Sequence, residues 1–363
     1  MFDKNVAPQI RAGLIRWFQK GHRDMPWRRT KDPYSIWVSE IMLQQTRVDT
    51  VIPYFERWMA RFPTATKLAD APLDEVLAHW SGLGYYARAR NLHAAAREIA
   101  TSYRGQFPQT RDEIRALPGI GRYTSGAIMS IAFEKPEPIL DGNVARVLSR
   151  LFLIEGAPNQ KAMQDRLWEI SSVLVPNKLP GDFNQSMMEL GATLCTPTQP
   201  RCGDCPVAKQ CAAREAGVQD LYPAAKKKRV VPSLLVVTIA VVRDRKLLLL
   251  KRPVQGLWGG LWEPPTGEVQ SSEDPRAAAA RVLKAVTGLS AEGLKPLDRF
   301  EHVLTHKRMQ FIAFSAEASG RLRRKGYDDA RWLPIADREK TGLAAWTTRI
   351  FKKLSPTETS EQS

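Results

Sequence analysis

Four cysteines stand at Cys195, Cys202, Cys205 and Cys211, and the 363-residue chain contains no others. Their spacing is Cys-x6-Cys-x2-Cys-x5-Cys, so four thiolates within seventeen residues can converge on one centre. Soft sulfur ligands suit iron–sulfur clusters or zinc. Zinc sites usually show two Cys-x2-Cys knuckles. Only one such pair is present and the outer spacings are long, which places a [4Fe-4S] cluster ahead of zinc. A disulfide framework would spread its cysteines along the chain. Clustered cysteines point instead to ligation in a reducing cytoplasm. Arg201 and Lys209 leave the loop cationic, so it could also touch phosphate.

Two carboxylates carry a second kind of chemistry. Asp141 follows Pro138-Ile139-Leu140 and precedes a helix beginning near Asn143. Its ordinary role there is an N-cap. The same geometry puts the carboxylate at the positive end of a helix, which favours its ionised form. An ionised carboxylate can stabilise an oxocarbenium-like sugar. Glu40 lies in PYSIWVSEIMLQQTRV, where helical spacing puts it on one face with Ile36, Leu43 and Gln44. On an amphipathic surface helix it would be a solvated glutamate. Among apolar neighbours it would be desolvated and held protonated. A protonated acid can assist the departure of a poor leaving group.

The elements that must position these groups are helical over the first two thirds of the chain. From Ala7 to about Ala213 apolar residues recur at helical spacing. Thr110 and Glu113 form a candidate capping box before Ile114 and Leu117. Pro118-Gly119 ends that helix, and a second runs from about Tyr123 to Ala132. The connecting turn, Leu117-Pro118-Gly119-Ile120-Gly121, has glycines that permit positive φ and leave backbone N–H groups uncovered. With the helix N-terminus that follows, they can hold a phosphate oxygen.

After the last cysteine the composition changes. LYPAAKKKRVVPS carries two prolines and the cations Lys226 to Arg229, and reads as a linker. Leu234 to Val242 and Leu247 to Leu250 are short aliphatic runs separated by Arg243-Asp244-Arg245, which suggests a hairpin. A helix is expected over Arg276 to Val286, followed by more strands. The expected organisation is an all-α domain over 1–222, with the helix pair near 114–132 and the cysteine loop at 195–211. A basic linker at 223–232, an α+β domain over 233–352 and a disordered tail at 353–363 follow.

Composition narrows the partners. Apolar residues make up 43% and charged residues 25%, ordinary globular usage. The net charge of +16 points to a polyanion. The excess is uneven: 28 cations and 23 anions in residues 1–220, against 26 and 15 beyond. The nine-residue stretch Leu234 to Val242 is about half of what a bilayer span needs, so no membrane partner is expected. MFDKNVAPQIRAGLIRWFQK lacks an apolar signal core, and a cytoplasmic location is expected.

The glycine-bearing turn resembles the helix–hairpin–helix motif of DNA-repair glycosylases. With the cysteine cluster downstream of it, the order of motifs resembles the endonuclease III superfamily. LDGNVARVLSRL, around Asp141, is similar to that superfamily's catalytic segment. Bifunctional members carry a Schiff-base lysine just after the hairpin, and the matching position here is Tyr123. A phenol cannot form that imine, so the resemblance implies base removal without efficient strand cleavage.

The stretch around Glu40, and WSGLGYYARARNLHAAA from Trp80, resemble the adenine DNA glycosylases of the MutY type. That resemblance covers the first domain nearly end to end. It implies that Glu40 protonates adenine N7 and later assists water, and that Asp141 stabilises the cationic sugar. Asn143 and Tyr123 would line the same pocket, and Arg28 would lie near the adenine edge. Gln45 and Tyr85 match residues that wedge into the duplex opposite the lesion, offsetting part of the cost of flipping a base. Leu43 and Thr46 match neighbouring contacts, and Leu117, Gly119 and Gly121 belong to the hairpin that meets DNA. The implied partner is double-stranded DNA with an A:8-oxoguanine or A:G mispair, bound by a monomer. The alternatives are an endonuclease III-type glycosylase/lyase for oxidised pyrimidines and a non-catalytic lesion binder. Tyr123 weighs against the first, and the presence of both Glu40 and Asp141 against the second.

GLWGGLWEPP, from Gly256 to Pro265, resembles the approach to a Nudix box, G-x5-E-x7-R-E-U-x-E-E-x-G-U with U aliphatic. From Gly267 the chain supplies Gly267, Glu273, Arg281, Leu283, Gly288 and Leu289, but Val282, Ala285 and Val286 replace the three glutamates after the arginine. Mg²⁺ needs hard oxygen ligands, and these residues offer none. The resemblance implies a Nudix-like domain that recognises 8-oxoguanine without hydrolysing nucleotides. The family's reading loop commonly contains Phe-Ser-His. Leu304-Thr305-His306 stands in that place, Thr305 supplying the hydroxyl and Leu304 filling space without an aromatic face.

Overall fold

The computed structural model describes residues 6–224, 231–304 and 307–354. The cationic run Lys226 to Arg229, the pair Thr305 and His306, and the tail from residue 355 lie outside the described residues. Packing divides the chain into two units, Met1–Ala69 with Ala94–Lys228, and Asp70–His93 with Arg229–Ser363. The expected division at 222–233 follows the chain, whereas packing groups Asp70–His93 with the second unit.

The first unit is helical. It holds α1 (Ala7–Lys20), α2 (Pro33–Leu43), α3 (Val48–Arg61) and α4 (Ala65–Asp70, its last residue in the other unit). The segment α5 (Leu73–His79) belongs to the second unit, and α6 (Ala87–Ser102) is divided between the units at His93. The first unit continues with α7 (Arg111–Ala116), α8 (Arg122–Ile131), α9 (Gly142–Phe152), α10 (Lys161–Leu174), α11 (Pro180–Thr193) and the short α12 (Ala212–Glu215).

Local chemistry sets the helix starts near the site. The Asp32 carboxylate accepts from Tyr34 N and Ser35 N, and Pro33 fixes the first turn of α2. Every residue of α2 from Tyr34 to Met42 is buried, so this helix has no solvent face for Glu40 to occupy. Thr110 and Glu113 form a full capping box on α7. Between α7 and α8, Gly119 takes φ +78° and Ile120 N closes the turn on Leu117 O at 3.2 Å. Gly121 does not use the left-handed region expected of it: at φ −93° it is extended and serves as the N-cap of α8. Helix α11 packs against α1, α8 and α9 and forms the centre of this unit.

The second unit carries a mixed sheet. Strand β1 (Ser233–Arg243) is joined to β2 (Lys246–Lys251) by Asp244-Arg245, both at positive φ, in the tight hairpin expected there. After β3 (Trp262–Glu263) and β4 (Thr266–Glu268) comes α13 (Pro275–Thr287), capped by Asp274 and stopped by Gly288. The long strands β5 (Ser290–Val303) and β6 (Arg308–Ser319) pair antiparallel, and β7 (Asp329–Pro334) precedes the final helix α14 (Thr347–Leu354). The order is β3-β2-β1-β6-β5, with β4 also on β1 and β7 also on β2. The β1–β6 pair is parallel, which makes the sheet mixed. Val237, Ile239 and Val241 alternate toward α13, where Ala278, Ala279, Val282 and Leu283 close the core. The box residues play structural parts. Arg281 grips Glu273 through two bonds of 2.7 Å and donates to Glu268 O. Val282 is a core residue, and a Cβ on Gly267 would lie 2.8 Å from it. A glutamate at position 282 would bury its charge in that core.

Candidate active site

One cavity of about 820 Å³ in the first unit is lined by Glu40, Tyr123, Asp141 and Asn143. Arg28, Leu43, Gln45, Thr46, Gly119 and Gly121 line it too. Tertiary folding thus gathers residues spread over more than a hundred positions. Leu117 is buried at the hairpin instead of facing the cavity.

Within it, the Tyr123 hydroxyl donates to Glu40 Oε2 at 2.6 Å, and Met188 Sδ lies 3.1 Å from the Tyr123 hydroxyl oxygen. Glu40 is 5% exposed. Burial raises its pKa to about 7; the Tyr123 bond opposes the rise, the Asp141 charge adds to it, and Arg28 opposes it. Tyr123 is pushed far up by burial and by both carboxylates, so its phenol stays protonated and can only donate to Glu40 Oε2.

Asp141 caps α9, accepting from Val144 N at 2.7 Å and from Asn143 Nδ2 at 3.1 Å. The helix end was expected to favour ionisation. The net shift is upward, because burial outweighs the bonds from Val144 and Asn143. An adjacent positive charge would reverse that balance. Asn143 is itself fixed from behind. Arg146 donates to Asn143 Oδ1 at 2.9 Å, to Gly191 O at 2.7 Å and to Cys195 O at 2.8 Å. Helix α11 comes so close at Gly191 that a Cβ there would lie 2.6 Å from Asn143 Cβ.

Sequence reasoning missed Glu189. Its two oxygens take Arg23 through bonds of 2.8 Å, and Oε2 also takes Arg28 Nη2 at 2.9 Å. Burial pushes this carboxyl up, but the two guanidinium groups outweigh it and hold it at about 2. Arg28, stacked over Phe18, is thereby locked at the cavity wall. The available signal was a carboxylate inside the apolar run Met187 to Leu190.

The wedge candidates share a backbone feature. Gln45 has φ +58° and Tyr85 φ +47°, and both are exposed. Non-glycine residues held there are strained, and such strain collects at functional sites. Gln45 lies in the turn just after α2 in the first unit, and Tyr85 belongs to the second. In the second unit Leu304 sits at the β5–β6 tip, its N–H bonded to Lys307 O at 2.8 Å.

The four cysteines line a separate small cavity with Arg150, Arg201 and Arg214. Among the described residues no three His, Cys, Asp or Glu side chains converge closely enough to hold a single ion. Four thiols ringing one cavity are a donor set that an iron–sulfur cluster would require. Buried Arg150 donates to Cys195 Sγ at 3.4 Å and to Thr196 O at 2.7 Å, placing a fixed cation beside the sulfurs. Burial raises the thiols of Cys202, Cys205 and Cys211, Cys205 to about 11, so metal binding must displace their protons.

Fold and cavity together define a DNA glycosylase of the helix–hairpin–helix class joined to a Nudix-like domain. Residues 38–172 match the family described as HhH-GPD superfamily base excision DNA repair protein, and residues 236–353 match the NUDIX domain. The adenine DNA glycosylase of Homo sapiens is 34% identical over 96% of this chain and 74% of its own length. That of Arabidopsis thaliana is 38% identical over 85% of this chain, which spans 57% of that relative. A solved thermostable thymine-DNA glycosylase is 31% identical, with a TM-score of 0.53 over 58% of this chain and 98% of that one. The chain belongs to the adenine DNA glycosylase family.

Proposed function

We propose that the chain hydrolyses the N-glycosidic bond of adenine paired with 8-oxoguanine, or with guanine, in duplex DNA. The observation that carries this reading is the Glu40–Tyr123 pair sharing one cavity with the Asp141–Asn143 pair. Glu40, titrating near neutrality, gives its proton to adenine N7. The C1′–N9 bond then breaks with its electrons moving to the base. Positive charge develops on the sugar, and the Asp141 carboxylate stabilises it. Water adds at C1′ and returns a proton to Glu40. Tyr123 and Asn143 hold the two carboxyl groups in place. Arg28, anchored by Glu189, faces the base. Tyr123 has no amine, and its hydroxyl is committed to Glu40, which favours hydrolysis over the imine route of a lyase.

In this reading the turn at Gly119–Gly121 and the N-terminus of α8 take a DNA phosphate. Gln45 and Tyr85 enter the duplex, and the segment around Thr305 discriminates 8-oxoguanine from guanine. Cys195, Cys202, Cys205 and Cys211 hold a [4Fe-4S] cluster, a compact cation-flanked group that braces the loop.

The decisive assay is adenine release from an A:8-oxoguanine duplex, with alkali revealing the abasic site. Release by the iron-loaded protein is expected, with little borohydride trapping. No release, or trapping of most of the protein on an oxidised-pyrimidine duplex, overturns the reading. Broad absorbance near ~400 nm, from thiolate-to-iron charge transfer, is expected. Stoichiometric zinc without iron overturns the cluster assignment.

A further inference from the structure

The turn joining α5 to α6 lies wholly in the second unit and is unusually constrained. Gly82, Gly84 and Tyr85 all hold positive φ. The turn is braced from inside: Trp80 Nε1 donates to Gly84 O at 3.0 Å, and buried Arg88 donates to Leu83 O and Gly84 O. The Arg88 guanidinium lies 5.1 Å from the Trp80 ring centre and 5.5 Å from that of Tyr85. These contacts shape the turn but do not fix where it points.

Two further bonds do. The buried Tyr86 hydroxyl donates to Leu343 O at 3.1 Å and lies 3.5 Å from Gly82 N, at the tip of the turn. Arg90 Nη1 donates to Gly259 O at 2.7 Å. Both acceptors are well anchored. Trp262 N bonds to Gly342 O and Ala344 N to Trp262 O, so Leu343 is laced to β3. Gly259 sits in the loop before β3, where Gly260 N bonds back to Arg252 O. A Cβ on Gly342 would lie 2.8 Å from Leu77 Cβ, so α5 packs on the same chain.

We propose that Tyr86 and Arg90 are positioning residues that present Tyr85 to DNA in one pose, by tying its turn to the β3 side of the Nudix-like part. The inference rests on the reading of Tyr85 as a duplex wedge. A strained, exposed aromatic on an untied turn would sample many orientations, and each would have to be suppressed on insertion. Two bonds to a packed sheet remove that cost beforehand. The length of the arm from β3 to Tyr85 then sets how far the ring reaches.

The test is a mutant cycle in the full, iron-loaded chain. Tyr86→Phe removes one oxygen, and Arg90→Met removes the guanidinium while keeping the stem. Each is expected to slow single-turnover adenine release from an A:8-oxoguanine duplex about tenfold, but less than about twofold in a Tyr85→Ala background. The pH profile should be unchanged, because Glu40 is untouched. Full, additive losses in the Tyr85→Ala background, or no loss in either, overturn the proposal. A second readout is independent of activity: fluorine NMR of a fluorinated tyrosine placed at position 85. One resonance is expected in the parent and several, or a broadened one, after Tyr86→Phe or Arg90→Met. An unchanged resonance overturns the proposal even if the variants are slow. A parent protein that shows one resonance but releases no adenine overturns the functional reading instead.

Discussion

Replacing Tyr123 by Phe should move the alkaline limit of adenine release to higher pH. Glu40 sits at about 7 because burial raises it while the Tyr123 bond restrains the rise. That bond, 2.6 Å long, favours the ionised carboxylate. A hydrogen bond to a charged group contributes about 1.5–3 kcal/mol, and one pK unit corresponds to about 1.4 kcal/mol, so Tyr123→Phe should raise Glu40 by about 1–2 units. For an acid titrating near 7, release at pH 8 relative to pH 6 is about 0.1; a rise of one unit brings the ratio to about 0.5. The ratio compares one protein with itself, so a uniform loss of rate from altered packing cancels. The assay is single-turnover release with excess protein across pH 5.5 to 9.5. A ratio that stays near 0.1, or a limit that moves to lower pH, would refute the claim that Tyr123 restrains a Glu40 acid.

Other consequences follow from the same geometry. Glu40→Gln should nearly abolish release while leaving duplex binding intact, since only proton transfer is lost; equal loss of both means that Glu40 is structural. The same substitution should stabilise the fold in alkali. A carboxyl raised from 4.5 to about 7 favours folding fully below its unfolded pKa, and this contribution is lost as pH rises through 7. The difference is about 3 kcal/mol at pH 8 and small at pH 5, readable in denaturant melts; equal midpoints at pH 8 contradict it. Gly191→Ala should cost about 1–3 kcal/mol and depress release, because the new methyl must displace Asn143, which holds Asp141. A melting temperature and rate equal to the parent's rule out that close approach. Thr305→Ala should weaken the preference for 8-oxoguanine over guanine more than excision itself, measured by comparing the two duplexes; an unchanged preference refutes the assignment.

What could be read from the sequence was local. Asp141 as a cap, the Thr110–Glu113 box, the Asp244-Arg245 hairpin and the spacing of the four cysteines each lie within a few bonds of the structure they specify. Chain geometry alone makes such neighbours meet. The Nudix-like part was legible in the same way, through box residues such as Arg281, which holds Glu273 and ties α13 to Glu268 O of β4. The candidate acid was legible as a residue but not as a chemical state. Helical spacing put Glu40 beside Ile36 and Leu43, yet α2 is enclosed on every side, and the phenol that tunes the carboxyl comes from 83 positions away. Glu189 and its two arginines were out of reach, since they meet across more than 160 positions. So were the parallel β1–β6 pairing and the attachment of Asp70–His93 to the second unit. Desolvation and distant pairing depend on which segments return to a site. No single stretch of chain carries that information, so the sequence by itself determined the groups and their local frames, while the tertiary structure decided their protonation, their partners and their aim.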